Sequence, residues 1–190
     1  MGPLCEAGAD PSANMKNNFS PLDFAAEFNH LETVELLCSY GASNRAEAAL
    51  QASRAGHSSL ARWLEASEDW TTPLHHLSTL SPERAYRLLR EGADLHAAVA
   101  PGRPSPLTIA CEMHEYGEAP PQSAAALVLE AAESWSIRTH ELFPTAARGR
   151  AVELMRLGAL LSRCNPVFAG REHAILDAWV TFVLPGAIER

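Results

Sequence analysis

The chain has 190 residues and a formal net charge of −8 at pH 7. Its 33 alanines and 24 leucines favour helix and β-branched residues are few, so we expect an all-α fold. The acidic balance argues against a general nucleic-acid or anionic-membrane binder, because such proteins need a clustered positive surface.

The cysteine pattern and the N-terminus point to a reducing compartment. The four cysteines lie far apart without a C-x-x-C pair, which argues against a disulfide framework or a structural zinc site. Nothing at the N-terminus resembles a signal peptide, and no apolar run is long enough to cross a bilayer. We therefore expect an intracellular, cytoplasmic protein, with the nucleus or an organelle left open.

A helix-start marker recurs along the chain. Ser20–Asp23 reads Ser-Pro-Leu-Asp, Thr72–His75 reads Thr-Pro-Leu-His, and Ser105–Thr108 follows 33 residues after the second. The hydroxyl of Ser or Thr caps free backbone amides, and proline suits the first helical position. Each copy therefore predicts the start of a helix.

A helix-stop marker recurs with the same period. Gly8–Asp10 reads Gly-Ala-Asp, Gly41–Ser43 follows 33 residues later, and Gly92–Asp94 repeats it again. Glycine adopts the left-handed conformation that ends many helices. About 20 residues with a polar break separate start from stop, which predicts two short antiparallel helices per copy.

This arrangement resembles the ankyrin repeat, a 33-residue β-turn and helix pair. The best copy runs from Asn18 to Gly41. The resemblance is clear over residues 3–112 and weaker to 162. It implies an ankyrin-repeat solenoid of stacked helix-turn-helix pairs in residues 1–165, with an incomplete first repeat and four to five further copies, followed by a capping helix and tail in 166–190.

The second copy is degenerate. Ala55–Leu64 aligns with Phe28–Leu37 at an offset of 27, six residues short of the period. We expect the missing residues to come from the turn after Gly41, so that the β-finger there is lost.

The later copies diverge further. We expect Ser81 to cap a fresh second helix in the third copy, and a loop in the fourth to delay its second helix until Gln122 or Ser123. Residues 139–159 predict a fifth copy with the helix, break, helix layout. Residues 171–183 predict a C-terminal capping helix that ends before Pro185.

The N-terminal segment, residues 3–7, looks like the end of a second helix, so we expect the chain to start inside a repeat. A solenoid end without a polar cap exposes an apolar face. This favours a fragment, an open-ended gene product or a subunit covered by a partner.

The residues that could carry chemistry have structural interpretations. His75 belongs to the helix-opening motif, so a metal site with His76 and Asp69 is disfavoured. Cys38 and Cys111 lie on apolar helical stretches and are interpreted as small hydrophobes. No phosphate-binding, metalloprotease or hydrolase motif occurs. We expect a non-catalytic protein without a cofactor or bound metal.

The four tryptophans, spread along the chain, are interpreted as packing residues between repeats. For Trp70 the alternative to packing is contact with a partner, because this residue lies on the turn before a helix start.

The resemblance implies a protein–protein interaction scaffold that binds a partner protein through its concave surface. The alternative is a structural subunit permanently embedded in a larger assembly. In ankyrin repeats the contact positions lie on the turn before the first helix and at its exposed end. Here they are Lys16, Asn17, Phe19, Glu27 and Phe28 in the best copy, Arg54 in the degenerate copy, Glu68, Asp69, Thr71, Thr79 and Leu80 in the third, and Arg103, Glu112 and Met113 in the fourth.

Four of these residues, Phe19, Phe28, Leu80 and Met113, are expected to form an apolar stripe with a charged rim. The alternative is that Phe19 and Phe28 pack on the neighbouring repeat. The predicted core consists of Leu22, Ala25, Leu36, Leu37, Leu60, Leu64, Leu74, Leu88, Leu89, Leu107, Ala110, Leu127, Leu154 and Leu157.

Overall fold

The computed structural model describes residues 2–13, 19–98, 102–164 and 171–189, and these residues form helices and turns without a strand. The helices in chain order are α1 (Gly2–Glu6), α2 (Pro21–Glu27), α3 (Leu31–Ser39), α4 (Arg45–Arg54), α5 (Ser58–Ala66), α6 (Pro82–Glu91), α7 (Pro106–Glu115), α8 (Ala124–Ala132), α9 (Thr145–Cys164), α10 (Glu172–Ala178) and α11 (Leu184–Ala187). Single 3-10 turns lie at Pro73–His75 and His140–Leu142, and a π-helical turn, Trp179–Val183, joins α10 to α11.

Helix pairs stack side by side along the chain. The pairs α2–α3, α4–α5 and α7–α8 each pack within a copy, while α4 packs on α2 and α8 on α6 between copies. This confirms the all-α fold of stacked helix-turn-helix pairs. None of the described helices is both long and apolar enough to span a lipid bilayer.

The Gly-Ala markers end helices as the sequence predicts. Gly8, Gly41 and Gly92 have φ values of +91°, +89° and +90°. After each, the alanine N–H donates back across the last turn at 3.0 Å, as Ala42 does to the Leu37 carbonyl and Ala93 to that of Leu88. A left-handed residue with this hydrogen bond is the usual helix stop.

The degenerate copy follows the predicted offset of 27 residue by residue. Asn29 and Gly56 both have positive φ, at +56° and +87°, and His30 and His57 are the N-caps of α3 and α5. The shortening falls between Gly41 and α4, where the described turn forms no hairpin.

The helix-opening markers make the same bond with different side chains. The Ser20 Oγ–H donates to Asp23 Oδ2 at 2.7 Å, and Thr72 Oγ1 lies 2.9 Å from His75 Nδ1. Ser105 Oγ lies 3.0 Å from Thr108 Oγ1. Replacing the histidine by Asp or Thr makes the family's Thr-to-His bond doubtful from sequence alone, yet the structure keeps an equivalent bond in each copy.

One more box of this kind was missed by the sequence interpretation. The Ser136 N–H donates to Thr139 Oγ1 at 2.9 Å, and the Thr139 N–H donates to Ser136 Oγ at 3.1 Å. The Ser-x-x-Thr spacing is the signal that could have found it.

Three expectations about helix lengths are corrected. The first helix of the third copy is only the 3-10 turn Pro73–His75, although Ser81 does cap α6. In the fifth copy the helix before the break is reduced to the 3-10 turn His140–Leu142, and the helix after it, α9, runs without interruption from Thr145 to Cys164. Pro185 does not end the C-terminal helix, which continues to Ala187 because proline is tolerated in the first turn of α11. Ser123 caps α8, as expected for the delayed second helix.

The core forms three clusters along the stack. The first cluster contains residues of all four helices from α2 to α5. The second runs from Leu74 to Leu142, and the third contains Trp135, Phe143, residues of α9 and Leu184. Most predicted core residues lie in these clusters, but the interpretation of Leu157 was wrong, since it is exposed on α9. Five others are only half-buried: Leu36, Leu88, Leu107, Leu127 and Leu154.

Candidate functional site

An exposed aromatic pair lies at the C-terminal end of α2, where Phe28 is the C-cap residue. Phe24 and Phe28 are 49% and 54% exposed, and their ring centroids are 4.8 Å apart. They are four residues apart and therefore share one helix face. Sequence reasoning found Phe28 but missed Phe24, which the i, i+4 spacing would have indicated.

The neighbouring helix α4 presents a mixed face beside this pair. Its exposed side includes Leu50, with Glu47 accepting a hydrogen bond from Gln51 at 2.9 Å and lying 3.9 Å from Arg54. The His57 ring lies 3.1 Å from the Glu27 carbonyl, which holds the α4–α5 turn against the end of α2.

A notch lies where the degenerate copy has lost its finger. We define the notch as the space of about 390 Å³ that is lined by residues 41–46, Glu68, Trp70 and Thr71. Asn44, with a φ of +65°, turns the chain directly into α4 without a side-chain cap. The structure thus brings predicted contact residues of the third copy, Glu68 and Thr71, against the shortened turn of the second.

Arg45, which lines the notch, contacts residues of three copies of the repeat. Its guanidinium donates to the Ser67 carbonyl, reaches the Cys38 carbonyl at 3.5 Å, and lies 3.3 Å from His76 Nε2. The Trp70 ring stacks edge-on against Trp63 and His76, with centroids 5.7 and 5.1 Å away. This contact supports the packing interpretation of Trp70.

Burial shifts the pKa values of the ionisable groups beside the notch so that their neutral forms are favoured. Burial, with Arg45 as the next cause, lowers the pKa of His76 to about 3, and burial also lowers the pKa of His75. Burial raises the pKa of the Cys38 thiol to about 11. Cys38 is buried as expected, whereas the interpretation of Cys111 as a packed hydrophobe was wrong because its side chain is exposed.

Two predicted contact residues from different copies meet. Arg103 Nη1 lies 2.9 Å from Asp69 Oδ2, so an ion pair links the turns that precede the third and fourth copies. Glu112 is exposed on α7, while Met113 is half-buried and packs on the second core cluster.

Leu80 is a correction to the predicted stripe. It is 5% exposed and belongs to the second core cluster. The physical reason is the short 3-10 turn at Pro73–His75, after which the chain folds inward and the Leu80 N–H donates to the His76 carbonyl at 2.9 Å. Thr79 on the same turn is half-buried and lies 3.4 Å from the same carbonyl.

The remaining predicted residues are divided between described and undescribed segments. Phe19 is half-buried before α2, and Glu27 and Arg54 are exposed. Lys16 and Asn17 lie outside the described residues. Leu80 and Met113 therefore do not continue the exposed apolar surface that Phe28 begins.

A second cleft lies elsewhere in the described structure. It has a volume of about 460 Å³ and is formed by the turn at Gly92–His96, the end of α8 and the residues after α11. None of the predicted contact residues lines it. Within the described parts of the chain, no three His, Cys, Asp or Glu side chains converge as metal ligands.

Comparison with known proteins identifies the segment that carries the aromatic pair. The family model of the ankyrin repeat matches residues 17–49, which confirms the repeat predicted for the best copy. No curated protein and no solved structure matches the chain. Ankyrin repeats are generally protein–protein interaction modules and are typically non-catalytic.

Proposed function

We propose that this ankyrin-repeat chain is a non-catalytic scaffold that binds a partner protein through the exposed faces of α2 and α4 and the adjoining notch. The observation that carries the proposal is the contacting pair Phe24 and Phe28, both half-exposed to solvent within the matched repeat. Exposed apolar side chains gathered on one surface are typical of binding sites.

The surroundings of the pair have the composition of an interface. Aromatic side chains are frequent anchors of binding energy, and a polar rim commonly surrounds them. Here Glu27 follows Phe24 by three residues on α2, and Glu47 and Arg54 lie on the neighbouring α4. We expect the partner to place an apolar side chain on the aromatic pair.

The notch lies at the N-terminal end of α4 and is included in the proposed surface. Its volume is about 390 Å³, and Glu68 and Thr71 are among the residues that line it. We expect an extended segment of the partner to lie in it, since the shortened turn leaves backbone and small side chains at residues 41–46.

A comparison of variants tests the proposal. The wild-type chain and the double variant Phe24→Ala/Phe28→Ala serve as baits, and proteins retained only by the wild type are identified by mass spectrometry. Each retained protein is then purified and its Kd measured by calorimetry. We expect the double variant to bind roughly tenfold or more weakly, as for interface hot spots.

The control is Phe182→Ala, which removes a still more exposed aromatic ring from the π-helical turn Trp179–Val183. It should leave the Kd unchanged, and circular dichroism should show the same helix content in all variants. The proposed surface is contradicted if both changes weaken partner binding equally, or if neither change weakens it.

The second candidate is a subunit permanently embedded in a larger assembly. It is favoured by exposed apolar residues away from the aromatic pair, including Leu157, Leu160 and Leu161 on α9. This candidate predicts that the purified chain aggregates unless its partner is added, whereas a scaffold with a transient partner stays monodisperse in light scattering.

A further inference from the structure

Helix α2 and its C-cap residue present one stripe of exposed side chains. Phe24, Glu27 and Phe28 are exposed, and their i, i+3, i+4 spacing places them on one face of the helix. The other residues of α2 that follow Pro21 are buried. We call these three exposed residues the α2 stripe. The stripe therefore combines two aromatic rings with one carboxylate.

The carboxylate of the α2 stripe has no cation of its own. Within the described residues, Glu27 forms no ion pair with an arginine, lysine or histidine side chain. The His57 ring, at 3.1 Å, contacts the backbone carbonyl of Glu27 and not its side chain. The carboxylate is therefore free to pair with a cationic group of a partner.

The charges around the α2 stripe are mostly negative. Residues 21–54, from α2 to α4, carry five carboxylates and two guanidinium groups, on Asp23, Glu27, Glu32, Glu35, Glu47, Arg45 and Arg54. Both guanidinium groups are engaged elsewhere. That of Arg45 donates to the Ser67 carbonyl, and Arg54 Nη1 lies 3.9 Å from Glu47 Oε1. This surface thus complements a positively charged segment, whereas an acidic segment would be repelled.

A basic side chain makes use of every group in the α2 stripe. The faces of aromatic rings attract cations, and the aliphatic part of arginine or lysine packs on apolar surface while its charged head stays in water. The head then pairs with the Glu27 carboxylate. An apolar side chain alone would contact the rings but would leave this carboxylate without a partner inside the interface, which costs free energy.

We propose that the α2 stripe recognises a basic side chain, arginine or lysine, on the partner segment that packs against Phe24 and Phe28. This inference rests on the proposed function and adds the chemistry of the partner. The segment carries an apolar residue on the aromatic pair and, close to it, a basic residue whose charged head pairs with Glu27. The two rings supply contact area, and Glu27 selects the charge.

The first test uses a phage-displayed library of random short peptides as the probe. The library is depleted on Phe24→Ala/Phe28→Ala and then selected on the wild-type full chain, so that recovered peptides require the aromatic pair. We expect arginine and lysine to be enriched among them. Calorimetry on the recovered peptides should show a Kd that rises with salt, because the pairing with Glu27 is screened.

The second test is charge reversal at the selecting residue. Glu27→Lys should weaken binding of the recovered peptides roughly tenfold or more, and changing the basic residue of the peptide to glutamate should restore binding to this variant. The control Glu153→Lys makes the same change at an exposed glutamate of α9 that has no ion pair among the described residues. It should leave the Kd as it is, and circular dichroism should show equal helix content in all proteins.

Four outcomes would overturn the proposal. These are the recovery of no peptide beyond the depletion background, recovered peptides without an excess of basic residues, a Kd that Glu27→Lys leaves unchanged or Glu153→Lys raises equally, and a charge exchange that does not restore binding. None of them decides the proposed function, which is tested separately by the proteins that the wild type retains and the double phenylalanine variant does not.

Discussion

Two adjacent leucines on α3 show how burial differs from one residue to the next. Leu37 is fully buried in the first core cluster, while Leu36 is half-buried. We expect Leu37→Ala to lower the free energy of unfolding by about 2–5 kcal/mol, and Leu36→Ala to lower it by clearly less, because the cost depends on the cavity left behind. Urea titration of both variants measures this difference, and a larger cost for Leu36 would show that the register of α3 is wrong.

The buried imidazole of His76 makes stability depend on pH. Burial lowers the pKa of His76 from 6.5 to about 3, with Arg45, His75 and Arg84 adding to the effect. Between these values the unfolded chain binds a proton that the folded chain does not, so the free energy of unfolding falls as the pH falls from about 6.5 toward 3.

Replacing this imidazole tests its role. His76→Gln should reduce the slope of the free energy of unfolding against pH in that window, by up to about 1.4 kcal/mol per pH unit. Urea titrations at several pH values provide the slope. The control His96→Gln changes an exposed imidazole and should leave the slope as it is; equal slopes in all three proteins would contradict the assignment to His76.

The residues of the candidate site also show what the sequence can predict. Phe28 and Arg54 follow from the repeat register, because exposed positions on a regular helix recur with the period. Leu80 does not, because its burial depends on the first helix of its copy being reduced to a 3-10 turn. The notch could not be predicted from the sequence either. The sequence shows where residues are missing after Gly41, but it does not show that Glu68, Trp70 and Thr71 lie opposite that turn.

At the level of the element, the same dipeptide has two different roles. Gly41-Ala42 ends α3 with a positive φ, but Gly158-Ala159 lies inside α9. The difference arises from tertiary structure: at Gly158 a Cβ atom would lie 2.8 Å from Trp179 Cδ1. Glycine is needed there because the indole ring packs directly on the helix backbone, a contact that no local pattern predicts.

This contact gives a prediction for α9. Gly158→Ala should displace the Trp179 ring and weaken its 3.0 Å hydrogen bond to the Leu154 carbonyl, lowering the free energy of unfolding by about 1–3 kcal/mol. Tryptophan fluorescence and urea titration report the change.

The same helix supplies the control. A Cβ atom at Gly149 meets nothing within 4 Å, so Gly149→Ala should stabilise the protein by about 0.5–1 kcal/mol through helix propensity alone. Stabilisation by both substitutions would show that Trp179 does not pack on α9 in solution.

Over the whole molecule, arginines link parts of the stack whose apolar cores are separate. The first cluster joins α2 to α5, and the second begins at Leu74. Arg84 of α6 lies 3.6 Å above the Tyr40 ring and donates to the Ser39 carbonyl at 2.9 Å, while Arg45 of α4 reaches toward His76. Stacked repeats are stabilised by such neighbour contacts, so cooperativity along the stack depends on them.

Breaking one of these links should separate the stability of the two ends. In Arg84→Met the aliphatic part of the side chain is retained, but the hydrogen bonds to Ser39 and the stacking on Tyr40 are lost. Because hydrogen bonds of charged groups contribute about 1.5–3 kcal/mol, amides in α2–α5 should exchange with deuterium faster by a factor of about 10 or more. Amides in α9 should keep their protection.

The control is Arg87→Met, which changes an exposed arginine on the same helix and should alter neither region. Uniformly faster exchange throughout the chain would mean that the stack unfolds as one unit, and unchanged exchange in α2–α5 would mean that Arg84 does not couple the two clusters.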